Sequence, residues 1–104
     1  MTSDAVTARA ALLDDARACV CVDRAATYGS AEESFGHIAR IWDVLDTVRG
    51  DRPRGAHDVA LCMIALKMVR AASNPGHRDS WVDIAGYAAC AGALPAPAAG
   101  DATP

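Results

Sequence analysis

The sequence has 104 residues, which is enough for one domain. It is 52% hydrophobic but only 5% aromatic, so its core must be mostly aliphatic, and this favours packed helices over a sheet. A net charge of −3 excludes the broad basic surface that holds a nucleic-acid backbone, so we expect no binding of that kind.

The N-terminal segment predicts neither a signal peptide nor a membrane anchor. Acidic residues (Asp4, Asp14 and Asp15) interrupt its apolar runs. Nowhere does the sequence approach the roughly 20 apolar residues that span a bilayer. We therefore expect a cytoplasmic protein.

The first predicted helix covers about residues 4–22. Small and aliphatic residues recur there at steps of three and four, the period of one helix face: Ala5, Ala8, Leu12, Ala16 and Cys19. The segment 23–29 after it, which closes with Gly29, is expected to end this helix. The four cysteines include no CxxC pair, so we expect reduced thiols packed as small hydrophobic side chains and no zinc site.

The second predicted helix begins at a capping box, in which Ser30 is followed three residues later by Glu33. An apolar stripe follows at helical spacing, formed by Phe35, Ile38, Trp42 and Leu45. Gly50 and Pro53 end this helix.

The third predicted helix, about residues 56–72, is apolar around most of its circumference and is therefore expected at the centre of the domain. Lys67 and Arg70 lie close together on one side of it. Because burying an unpaired cation is costly, each needs an anion, either a carboxylate or a bound phosphate. Asn74, Pro75 and Gly76 end the helix.

The fourth predicted helix covers about residues 78–94. Steps of 100° per residue place Asp79, Asp83, Gly86 and Cys90 on one face, which we expect to point toward the packed interior. Either Asp79 complements the helix N-terminus while Asp83 pairs with Lys67 or Arg70, or the two carboxylates bind a metal ion.

Glu32 and Glu33, in the first turn of the second helix, leave the same choice open. Either they are solvated and their negative charge is stabilised by the helix N-terminus, or they bind a divalent cation together with the carboxylates of the fourth helix. Ligands that are all oxygen atoms favour Mg²⁺ or Mn²⁺ over zinc.

These elements predict an all-α, four-helix domain over residues 1–94, followed by a disordered tail rich in Ala and Pro at 95–104. The core residues expected from the helical period are Phe35, Ile38, Trp42, Leu61, Ile64, Ala65, Met68 and Ile84. A hydrophobic chain with so few helices to cover it predicts a homodimer or a larger homo-oligomer.

Two strings in the sequence are characteristic of a family. The run DRAATYGSAEESFGHIARIW and the run HDVALCMIALKMVRAASNPGHRDSWVDIAGYAA resemble a family of small proteins found in phages and actinobacteria. If the chain is encoded by a phage, the host cytoplasm is its expected location.

That family is similar, more loosely, to the MazG-like all-α nucleotide pyrophosphohydrolases. The resemblance implies a four-helix MazG-like bundle and a Mg²⁺-dependent reaction that converts a nucleoside triphosphate to a monophosphate and pyrophosphate. Glu32 and Glu33 stand where those enzymes carry the first glutamates of an EExxE motif, although Gly36 replaces the third. Asp79 and Asp83 stand for the ExxD motif, spaced four apart instead of three.

The resemblance also implies roles for these residues. Glu32, Glu33, Asp79 and Asp83 would hold Mg²⁺, and Glu32, Glu33 and Asp83 would form the catalytic set. Lys67 and Arg70 would bind phosphate, and Tyr28 would touch the base or sugar. The alternative is a non-catalytic module of the same fold that binds a nucleotide or a protein.

Overall fold

A computed structural model describes residues 3–20 and 31–97 of the protein, and these residues form four α-helices. The helices are α1 (Ser3–Ala18), α2 (Ala31–Arg49), α3 (Ala56–Ser73) and α4 (Arg78–Gly92). No strand occurs in the two described ranges, so the expected all-α class is confirmed. None of these helices is both long and apolar enough to cross a membrane.

The helix ends follow the turn residues of the sequence. Gly50 has a φ of 64°, a left-handed conformation that favours glycine, and it ends α2 as predicted. The amide of Gly55 donates to the carboxylate of Asp58 at 2.7 Å, which satisfies a free donor at the start of α3. Asn74 leaves the helical conformation and ends α3, as predicted.

Three of the helices form one packed unit, with α3 in the middle. It packs against α2 on one side and against α4 on the other, whereas α2 and α4 form no packed interface with each other. The expectation that the third helix is central is therefore confirmed. The buried apolar side chains of the described ranges are Ile38, Ala65, Val69 and Ala71.

The core expected from the helical period is only partly right. Ile38 and Ala65 are buried, and Ile64 and Ile84 are half-buried. The prediction is wrong for the larger side chains Phe35, Trp42, Leu61 and Met68, which are all exposed. On α2 the period identifies the apolar side correctly, but α2 has only one packed neighbour, which leaves Phe35 and Trp42 exposed. Leu61 and Met68 lie on parts of α3 that neither α2 nor α4 covers.

The first helix agrees with expectation as far as it is described. The α-helix α1 spans Ser3–Ala18, helical backbone continues through residue 20, and residues 21–22 of the predicted helix lie outside the described residues. No residue of α1 is buried. The fourth helix ends at Gly92, two residues earlier than predicted. Residues 95–97 have no helix or strand and are exposed, and the rest of the predicted tail lies outside the described ranges, as does Ser30 of the predicted capping box.

Candidate functional site

An ion pair joins the two helices that carry most of the predicted site. Nζ of Lys67 on α3 lies 2.8 Å from Oδ2 of Asp83 on α4. The Lys67 side chain is 15% exposed, whereas that of Asp83 is 44% exposed. Of the anions proposed for Lys67 from the sequence, the structure therefore places Asp83 beside it. Because Asp83 remains accessible, the pair can exchange partners with an incoming ligand.

The inward face of α4 is rotated from the predicted one. Its buried and half-buried residues are Ser80, Asp83, Ile84, Tyr87 and Ala91. Asp79, Gly86 and Cys90 are exposed, so the prediction that they point inward is wrong. Helical spacing alone could not predict that Asp83 points inward and Asp79 does not, since residues four apart on a helix differ by only about 40° in direction.

The other predicted residues stand further apart. Arg70, one turn beyond Lys67 on α3, is half-buried and makes an interaction of its own. Glu32 and Glu33 are exposed in the first turn of α2. Tyr28, the expected contact to base or sugar, lies outside the described residues.

The carboxylates of the predicted metal site do not converge within one chain. Among residues 3–20 and 31–97, no group of three or more His, Cys, Asp or Glu side chains is placed to hold a metal ion. Mg²⁺ is, however, commonly held by only one or two protein carboxylates together with the phosphates of its substrate. Asp83, with Asp79 one turn away, fits that smaller requirement.

A second set of charges lies where α2 turns into α3, and we call it the corner cluster: Asp46, Arg49, Arg52, Arg54 and Asp58. Arg52 donates to both carboxylate oxygens of Asp58, at 2.8 and 2.5 Å. Asp46 accepts from Arg49 at 2.6 Å and from Arg54 at 3.0 Å. All three guanidinium groups thus donate to carboxylates of the same chain, so the cluster holds the corner together.

The protonation of the corner aspartates follows from these bonds. The hydrogen bonds from Arg52, followed by the one from the Gly55 amide, hold the pKa of Asp58 well below its usual range. The hydrogen bond from Arg49 lowers the pKa of Asp46 in the same way, with a smaller contribution from Arg54. Both side chains are therefore ionised throughout the physiological pH range.

A pocket of about 680 Å³ opens beside the corner cluster. Its apolar lining comes from Leu45, Val48, Pro53, Leu61 and Cys62, and its charged rim includes Arg49 and Arg52. None of the residues predicted for the site lines this pocket. Sequence reasoning missed the corner, although one signal was present, since an acidic residue three positions after Gly55 has capping-box spacing.

Comparison with known proteins bears on this arrangement. A model of the family described as a domain of unknown function (DUF6378) matches residues 11–95, a range that includes the Lys67–Asp83 pair and the corner cluster. No solved structure matches the chain.

Two relatives from mycobacteriophages are similar to the chain. The "Gene 55 protein" of Mycobacterium phage L5 is 40% identical over 81 residues, which are 74% of this chain and 47% of that protein. The "Gene 55 protein" of Mycobacterium phage D29 is 35% identical over 80 residues, which are 76% of this chain and 50% of that protein. The chain therefore spans about half the length of the curated relatives it matches, and the predicted resemblance to a phage family is confirmed.

Proposed function

This chain belongs to the DUF6378 family, and from that premise we propose that it is a Mg²⁺-dependent, MazG-like nucleotide pyrophosphohydrolase. In this reaction water attacks the α-phosphorus of a nucleoside triphosphate, and the bond from that phosphorus to the bridging oxygen of the β-phosphate breaks. The products are a nucleoside monophosphate and pyrophosphate.

The observation that carries the proposal is the Lys67–Asp83 pair. It places a cation and an accessible carboxylate 2.8 Å apart, on two helices that also carry Arg70 and Asp79 one turn away from them. A triphosphate and its Mg²⁺ require this combination, since the cations contact phosphate oxygens and the carboxylates contact the metal.

Each residue would act through its charge. Mg²⁺, when bound with the substrate, would polarise the phosphate under attack. Asp83 and Asp79 would hold that ion. Lys67 would leave Asp83 for a phosphate oxygen and, with Arg70, stabilise the charge that develops on the departing pyrophosphate. Glu32 and Glu33 stand apart from this pair, exposed in the first turn of α2, so they are not part of the proposed set.

A specific pair of observations favours a second function, a nucleotide-binding module without catalysis. Gly36 occupies the position of the third glutamate in the motif that the second helix resembles, and the described residues gather no group of three metal ligands. Such a module would bind the nucleotide and its Mg²⁺ through the same Lys67–Asp83 pair but would not position a water molecule for attack.

The experiment is a screen of ribo- and deoxyribonucleoside triphosphates for pyrophosphate release with Mg²⁺. The test variant is Asp83→Asn, and Asp46→Asn is the matched control, because it removes an arginine-paired carboxylate at the corner cluster. We expect the wild type and Asp46→Asn to release pyrophosphate and Asp83→Asn to be inactive.

Other outcomes separate the two functions. Mg²⁺-dependent binding of a nucleotide without pyrophosphate release would identify the binding module. Hydrolysis that survives Asp83→Asn would refute the site, and the absence of both binding and release would refute both functions.

A further inference from the structure

The side of α4 that points away from α3 is apolar and uncovered. We call it the outer face of α4, and it is formed by Trp81, Val82, Ala85, Ala88, Ala89 and Gly92, all of which are exposed. Trp81, Ala85, Ala88 and Gly92 recur at steps of four, three and four, which is the spacing of contact residues along the seam of two packed helices. Along this seam the described chain supplies no second helix.

The Trp81 side chain is held in place although it faces outward. Its Nε1 donates to the carbonyl oxygen of Pro75 at 2.9 Å, while 53% of the residue is exposed. A fixed, exposed indole loses little conformational freedom on binding, and tryptophan is for this reason frequent among residues that anchor protein interfaces.

One glycine of this face has no packing reason within the described residues. A Cβ atom added at Gly92 meets nothing within 4 Å, and Gly92 has no positive φ. Glycine lowers the stability of a helix relative to alanine. Close approach of another backbone is a reason to keep glycine at such positions.

We propose that the outer face of α4 is a homodimer interface, in which α4 packs antiparallel against α4 of a second copy. A twofold axis beside Ala85 places Trp81 of each copy against the partner's Ala89, between the small residues Ala88 and Gly92. The face is bulky at its N-terminal end and flat at its C-terminal end, so it is complementary to itself, as a twofold interface requires.

The charges on α4 fit the same axis. Arg78 is exposed at the N-terminal end of this face, and the twofold axis beside Ala85 brings it to the partner's Gly92. The last turn of α4 has no basic residue, although cations are favourable beside the free carbonyl groups at a helix C-terminus. Each copy thus supplies the cation that the other lacks.

This interface is independent of the proposed nucleotide site. Asp83 lies on the α3 side of α4, where it meets Lys67, so the dimer leaves the pair accessible. Failure of the dimer would therefore not affect the Mg²⁺-dependent assay, and failure of that assay would not affect the dimer.

The test combines light scattering on the purified chain with site-directed crosslinking. We expect a dimer mass at micromolar concentration that Ala85→Arg converts to the monomer mass. Ala39→Arg is the matched control, since Ala39 is an exposed helical alanine on α2, and it should remain dimeric. Circular dichroism checks that both variants keep their helices.

Crosslinking keeps the proposal testable if Ala85→Arg fails to fold. In a background with the four native cysteines replaced by serine, Ala85→Cys should form an intermolecular disulfide with itself, because the axis passes beside it, whereas Ala39→Cys should not. A monomeric wild type at 100 μM, or a dimer that resists Ala85→Arg and is not crosslinked through position 85, would overturn the proposal.

Discussion

At the scale of single residues, Asp58 shows how the local sequence fixes a structural role. It is buried, and its two oxygens accept from Arg52 and from the Gly55 amide. These three residues lie within seven positions of one another. The sequence alone does not show that Arg52 and Asp58 meet. Their contact depends on how the segment between α2 and α3 turns, and nothing in the types of these two residues indicates that turn.

The low pKa of Asp58 gives a pH-dependent prediction. Because that pKa is held below its unfolded value, ionised Asp58 stabilises the fold fully above about pH 4 and loses this effect as the pH falls toward the folded-state pKa. Asp58→Asn keeps a side-chain acceptor for Gly55 but removes the charge. We expect it to lower the urea midpoint at pH 7, and the difference from wild type should narrow at pH 3.

The control for this prediction is Asp46→Asn. The Asp46 side chain is more exposed than that of Asp58, so its removal should shift the midpoint less at pH 7. If the urea midpoints of wild type and Asp58→Asn differed by the same amount at pH 7 and at pH 3, the stabilising effect could not be assigned to the ionised carboxylate of Asp58.

Ser80 gives a prediction of opposite sign. It is 2% exposed, and its hydroxyl oxygen has no hydrogen-bond partner among the described residues. A buried, unpaired hydroxyl costs stability, so Ser80→Ala should raise the free energy of unfolding by about 1 kcal/mol. Thermal and urea unfolding measure this change, and a loss of stability would show that the hydroxyl is bonded in solution.

At the scale of helices, the sequence predicted which segments are helical and which side of α2 is apolar. It did not predict how much of that side is covered. On α2, Ile38 is buried while Phe35 is exposed, because the one helix that packs against α2 does not cover the whole of its apolar side. The rotation of α4 was missed for a related reason, since small residues on several sides leave its hydrophobic direction poorly defined.

A pair of glycine substitutions tests the helix assignments. Gly36 lies inside α2, and a Cβ atom there meets nothing within 4 Å, so Gly36→Ala should stabilise the protein by about 0.5–1 kcal/mol. Gly50→Ala should destabilise it, because a φ of 64° strains any residue with a Cβ atom. The melting temperatures of the two variants should therefore move in opposite directions, and a common direction would refute the assigned end of α2.

At the scale of the whole molecule, the described helices leave much of their apolar surface exposed. Exposed large apolar side chains occur on all four helices, which supports association with a second copy. The hydrophobic content of the sequence predicts such association but does not indicate a surface for it. The sequence also indicated Lys67 and Asp83 as possible ion-pair partners, since each was expected on the inward-facing side of its helix.

The central claim is that the Lys67–Asp83 pair binds the phosphates and Mg²⁺ of a nucleotide. Asp83→Asn removes the charge but keeps a side-chain oxygen that can accept from Lys67, which is 15% exposed, and the replaced carboxylate is 44% exposed, so we expect a cost to the fold of about 1 kcal/mol or less. Loss of ligand binding in this variant can therefore be separated from unfolding.

The most direct measurement is the melting temperature with nucleoside triphosphate, with Mg²⁺ and with both together. A ligand that binds only the folded state raises the melting temperature, so the wild type and Asp46→Asn should melt higher when both ligands are present, and Asp83→Asn should not. A wild type whose melting temperature does not change with any combination, or an Asp83→Asn variant that responds as the wild type does, would contradict the account.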